Sequence, residues 1–99
     1  MSVLLLRAKV KPESVAEVEA AVTTMFSAIE EAHPDGVRYA SCRLADEDAF
    51  VILLQVADGI ENPLPAVVEF KEFQASLPTW LAGPPVAERM TVVGSYNLF

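Results

Sequence analysis

His33 is the chain's one histidine and Cys42 its one cysteine, so these two positions bound the acid–base and nucleophilic chemistry on offer. An imidazole titrates near neutrality and serves as a general base. His33 stands where a helical stretch ends, however, and there an imidazole also complements the helix dipole. That structural role outweighs the chemical one. Cys42 falls mid-strand among apolar neighbours, with only His33 to activate it, and reads as packing. One histidine and no cysteine pair make no tetrahedral ligand set, so no metal is expected. Four glycines, none opening a rich loop after a strand, make no phosphate cradle.

The aromatic and basic residues carry more. Tyr39, Phe70, Phe73, Trp80 and Tyr96 are the candidates for lining a pocket between helices and sheet. Phe70 and Phe73 lie at helical spacing, which fits a core stripe. Trp80 follows Pro78 and precedes Gly83-Pro84-Pro85, an irregular setting that suits a pocket mouth and a dimer contact equally. Arg7, Lys9, Arg38, Arg43 and Arg89 all fall in expected strands, whereas the helices are acidic. Arg7 shares a strand face with Val3 and Leu5. A guanidinium there needs a partner, either an intersubunit carboxylate or carbonyl or an anionic ligand.

The elements that position these residues follow from periodicity. Residues 3–10 alternate as strand β1, with Leu4, Leu6, Ala8 and Val10 on one face and Val3, Leu5, Arg7 and Lys9 on the other. Ser14 with Glu17 makes a capping box. Val15, Val18, Val22, Met25, Phe26 and Ile29 then lay one apolar stripe along a helix, α1, of about 18 residues. His33-Pro34-Asp35-Gly36 stops it. Residues 37–45 form β2, with Val37, Tyr39, Ser41 and Arg43 facing one way. Residues 50–57 form β3, apolar on both faces apart from Gln55, as expected of a central strand covered twice. Val67, Phe70, Phe73 and Leu77 mark α2, which Pro78 ends or kinks. Residues 89–99 alternate as a long β4.

The order β-α-β-β-α-β is the ferredoxin-like, split βαβ plan. With right-handed crossovers it yields a four-stranded antiparallel sheet in the order 4-1-3-2 with both helices on one face, an α+β domain spanning residues 1–99. The second face then lacks cover, although β1 and β3 place Val3, Leu5 and a whole β3 set on it. Leaving four or five large side chains wet forgoes roughly 1.5–3 kcal/mol each. A second copy of the chain is the simplest lid, and a homodimer through the sheet face is expected.

Composition agrees. Of the 99 residues 53% are apolar, more than a domain of this size ordinarily buries, which calls for an interface or an apolar ligand. The net charge of −7 opposes binding to nucleic acid or to an anionic bilayer. No apolar run approaches the length of a membrane span. The apolar run at the N-terminus is too short for a signal peptide and lacks a leading basic region, and with a single cysteine this fits a cytoplasmic setting.

The element order, the length and the two-faced apolar strands between Val3 and Leu98 resemble the dimeric α/β-barrel superfamily, and within it the antibiotic biosynthesis monooxygenase-like group. The resemblance implies a dimeric α/β barrel. For activity it implies cofactor-independent oxygenation of an apolar aromatic metabolite, or a non-catalytic role as a small-molecule-binding or accessory module. Such an oxygenase needs a dry pocket and one base or hydrogen-bond donor, for which His33, Tyr39, Trp80 and Asn97 are the candidates. Haem-degrading relatives use an Asn on the first strand, a Trp, and a His on the second helix. Here β1 has no Asn and residues 65–81 have no His, so only Trp80 answers to that set and haem is not expected.

Overall fold

A computed structural model describes residues 2–98. The strands are β1 (Ser2–Lys9), β2 (Val37–Arg43), β3 (Ala49–Val56) and β4 (Val86–Thr91), and the helices are α1 (Val15–Ala32) and α2 (Val68–Trp80). They form one antiparallel sheet in the order β2-β3-β1-β4, the order expected from the sequence. The register pairs Leu4 with Leu54 on β3 and with Arg89 on β4, and pairs Tyr39 with Leu54. Alternation then sends Leu4, Leu6, Ala8 and Tyr39 toward the helices, and Leu5, Leu53 and Arg38 to the opposite, outer face.

Two clusters fill the space between helices and sheet. Val10, Val15, Val18, Phe50 and Trp80 form one, and Met25, Ile29, Leu64 and Val67 the other. The buried residues of α1 are Val15, Val18, Met25 and Ile29, four members of the apolar stripe read from the sequence.

Several expectations are corrected. Ser14 occupies the cap position and is buried, but its side chain makes no capping bond. A 3₁₀ turn over Pro12–Ser14 already winds the chain into the helix, and the Ser14 amide donates to the Lys11 carbonyl at 2.8 Å. The β2 strand ends at Arg43, because the Leu44 amide donates to the Ala49 carbonyl at 2.9 Å and closes the hairpin. Pro78 does not end α2, which runs on to Trp80. A proline removes only its own amide donor, and just two residues of the helix follow it. The Thr79 hydroxyl meanwhile donates to the Ser76 carbonyl at 2.6 Å. Trp80 is therefore the last residue of a helix rather than part of an irregular turn, and it is buried in the core.

The largest departure concerns β4. It stops at Thr91, and residues 92–98 carry no strand; the expected Phe99 lies outside the described residues. The Arg38 guanidinium donates to the Leu98 carbonyl at 3.2 Å. Arg38 belongs to β2, the sheet edge opposite β4, so residues 92–98 cross the outer face from one edge to the other. Val3 and Gln55 lie on that face and are only 1% and 4% exposed. The outer face is thus partly covered by the chain itself, which the sequence reading did not anticipate. Leu5, Val51 and Leu53 remain only half-buried on it.

Candidate functional site

The inward rows of the sheet and the two helices do not meet everywhere. Between them lies a cavity of about 180 Å³. Its floor is built by Leu4 and Leu6 of β1 with Ile52 and Leu54 of β3, and its roof by Val22 of α1 with Phe73 and Leu77 of α2. Strand alternation supplies the floor, and the i, i+3 and i+4 spacing of the helices supplies the roof. The cavity borders both core clusters, sharing Val10, Val18 and Phe50 with the first and touching Phe70, Phe73 and Tyr39 around the second.

Three polar side chains line this space, Tyr39, Ser41 and Gln74, and none of the lining residues is charged. Tyr39 is wedged between aromatic rings. Phe26 stacks on it at a centroid distance of 5.0 Å, and Phe70 meets it edge-on at 6.1 Å. Burial pushes its phenol up to about 12, because the phenolate would lose its hydration there. At neutral pH Tyr39 therefore keeps its proton and offers a donor. Arg89, the register partner of Leu4, stands exposed on the same side of the sheet at the β4 edge, outside the cavity lining.

Of the residues singled out from the sequence, the structure brings Tyr39, Phe70 and Phe73 together on the cavity wall. Trp80 does not line it. It lies behind Phe73, ring centroids 5.6 Å apart, among Val10, Val15 and Val18. His33 is exposed at the end of α1 in a left-handed conformation (φ 52°, ψ 52°), its amide donating to the Ile29 carbonyl. Tyr96 is 89% exposed, and Asn97 is exposed with φ 58°. Neither reaches the cavity. Arg7 lies on the outer face, exposed, and pairs with Glu47 of its own chain at 3.0 Å.

Sequence reasoning missed Ser41 and Gln74 as lining residues. Both carried a signal. Ser41 is the short polar residue in the inward row of β2, after Val37 and Tyr39. Gln74 lies four residues after Phe70 and three before Leu77, on the edge of the α2 stripe. A polar residue within an apolar row marks a place where a hydrogen bond is wanted.

Among the described residues no group of three or more His, Cys, Asp or Glu side chains is placed to hold a metal. No helix is long and apolar enough to cross a membrane.

Neither a family model nor a curated protein matches the sequence. Solved structures do match the fold. A protein of Caulobacter crescentus, named as a candidate antibiotic biosynthesis monooxygenase, superposes with a TM-score of 0.75 at 23% identity, over 94% of this chain and 90% of that one. A Nitrosomonas europaea protein named the same way gives 0.74 at 15% identity, over 93% and 89%. The Rv0793 protein of Mycobacterium tuberculosis gives 0.73 at 16% identity, over 95% and 96%. The chain is a ferredoxin-like α+β domain and shares its fold with structures named for antibiotic biosynthesis monooxygenases.

Proposed function

We propose that the chain works as a homodimer, formed through the outer sheet face, that takes a neutral and largely apolar aromatic metabolite into the cavity between helices and sheet. One observation carries this reading: the cavity wall is apolar except for three uncharged hydrogen-bonding side chains. A carboxylate or phosphate ligand entering that space would shed its hydration with no cation on the wall to replace it. A flat ring system with one carbonyl or hydroxyl fits, its ring against Phe73 and Leu54 and its polar atom toward Tyr39, Ser41 or Gln74. Cys42, free and exposed, suits a reducing compartment such as the cytoplasm.

Cofactor-independent oxygenation is the second reading, favoured by the names of the structural neighbours. In that chemistry a cyclic ketone flanked by aromatic rings loses a proton from its methylene carbon, and the resulting enolate reduces oxygen. One oxygen atom becomes a new carbonyl, and the other leaves as water with the two hydrogens of the methylene. Tyr39 would hold the enolate oxygen through its retained proton. No carboxylate or imidazole lines the cavity, so the substrate's proton would pass to water at the mouth, and a substrate of low intrinsic pKa is required.

The two readings separate in one experiment. Anthrone, a neutral tricyclic ketone of this kind, is titrated anaerobically for binding and then exposed to oxygen. Saturable binding that Leu6→Trp abolishes supports the cavity as the ligand site. Oxygen uptake above the buffer rate, lost in the same variant, adds catalysis. Binding unaffected by Leu6→Trp, or no binding by anthrone and related neutral ring systems, overturns the assignment.

A further inference from the structure

We propose that a groove between α1 and the free edge of β2 is a second part of the ligand site, and that it takes a protonated amine carried on the ring system. The inference rests on the cavity reading above and adds the chemistry of the ligand's polar arm. From α1 the groove receives Thr23, Phe26, Ser27 and Glu30, spaced i, i+3, i+4 and i+7 and therefore on one face of the helix. β2 is an edge strand, paired only with β3, so no further strand closes this side. Val22, Tyr39 and Ser41 line both the groove and the cavity. The two spaces meet at that wall. A neutral ring seated in the cavity can pass a substituent across it, and the substituent's charge then stays outside the apolar space.

The groove's side chains favour a donor. Among the described residues that line it, Glu30 alone is charged. The Thr23 hydroxyl gives its proton to the Glu19 carbonyl at 3.0 Å and presents only lone pairs. Ser27 and Ser41 add two more hydroxyl oxygens. An ammonium group has three donors and no acceptor, which matches this set. The helix supplies an independent observation. Cations are favoured at a helix C-terminus, where the dipole is negative, and anions are not. The last turn of α1 nonetheless holds Glu30 and Glu31 and no basic residue. Asp35 follows in the exposed turn, and His33 is exposed at the helix end. The arginines of β2 are engaged elsewhere. Arg43 pairs with Glu19 and Asp48, and Arg38 donates to the Leu98 carbonyl from the outer face. Negative charge gathered at a negative dipole end is unfavourable in the empty protein and is relieved when a cation binds there.

Three anthracenes with the same two-carbon arm, ending in an amine, a hydroxyl or a carboxylate, test this by fluorescence titration at low ionic strength. They are titrated into the full chain, Glu30→Gln, Leu6→Trp and Glu13→Gln. Glu13 is exposed at the opposite end of α1, so its variant removes the same charge at a distance. The amine is expected to bind about fivefold more tightly than the alcohol, the scale of one exposed ion pair at a helix end, and the carboxylate more weakly than either. Glu30→Gln should bring the amine to the level of the alcohol, whereas Glu13→Gln should leave the preference in place. Glu30 is a solvated side chain, so its variant keeps the fold and reads the groove alone. An amine preference that is absent, that survives Glu30→Gln, or that Glu13→Gln removes equally overturns the groove, as does a preference for the carboxylate. In each case an alcohol whose binding Leu6→Trp abolishes leaves the cavity standing. An alcohol that does not bind, or that binds Leu6→Trp equally well, overturns the cavity and the groove together.

Discussion

Tyr39 shows how one residue ties sequence to site. Its place in the inward row of β2 was legible from strand alternation, and its rings of contact, Phe26 and Phe70, come from the stripes of two helices. Burial raises its phenol from 10 to about 12. The folded chain therefore holds this proton more tightly than the unfolded chain does. The stability so gained is fully present below about pH 10 and is lost as the pH rises toward 12. Tyr39→Phe should remove this portion of the alkaline decline, measured as the denaturation midpoint between pH 9 and 12, and should weaken ligands that accept a hydrogen bond. A phenylalanine variant with an unchanged alkaline profile contradicts the assignment. Trp80 is a residue whose surroundings were misread. Gly83-Pro84-Pro85 suggested a loop, but the indole completes the cluster of Val10, Val15, Val18 and Phe50. Trp80→Ala should cost about 3–5 kcal/mol by chemical denaturation. His33 could be placed at a helix end from the sequence, and that end faces solvent; nothing in one sequence revealed how far the end lies from the cavity.

At the scale of elements, strands and helices were legible wherever the apolar period was unbroken, and their ends were not. The α2 helix passes Pro78 because burial of Trp80 and the Thr79 hydroxyl bond outweigh one missing amide donor. Ser14 makes no cap because the preceding 3₁₀ turn leaves its backbone already helical (φ −103°, ψ −6°), whereas a capping hydroxyl is presented from extended backbone. The turn into β2 depends on Gly36, whose φ of 76° lies in the left-handed region, and a Cβ there would collide with the Ile60 side chain. Ile60 is half exposed and can move, so the backbone term dominates. Gly36→Ala should lower stability by about 1–2 kcal/mol, read from the thermal midpoint, with the ligand site intact. The β4 strand was read too long for a different reason. Residues 92–98 have strand composition, but pairing requires a neighbour at the sheet edge, and propensity yields to that requirement.

For the whole molecule, the sequence implied a sheet with apolar residues on both faces and helices on one. The structure keeps that architecture and divides the uncovered face between the chain's own crossing segment and a half-buried row at Leu5, Val51 and Leu53. The sequence pointed to a pocket between helices and sheet through Tyr39, Phe70 and Phe73, but its size and most of its wall were not legible. Most of its lining positions are apolar and read as core, and a space of about 180 Å³ depends on how closely two helices approach the sheet. A cavity retained for a ligand is filled at little cost to folding. Leu6→Phe should hold or raise the thermal midpoint and lower ligand affinity at least about tenfold. Strong destabilisation by Leu6→Phe would mean the space is not free.

The central claim is that the space between helices and sheet receives a neutral ring system. It is tested most directly by following the methyl and aromatic NMR signals of the protein while anthrone is added without oxygen. The account predicts saturable shifts confined to Leu4, Leu6, Ile52, Leu54, Tyr39 and Phe73, with Leu5, Val51 and Val93 on the outer face unmoved. Shifts that gather on the outer face, or none at the inward residues at saturating ligand, would contradict it.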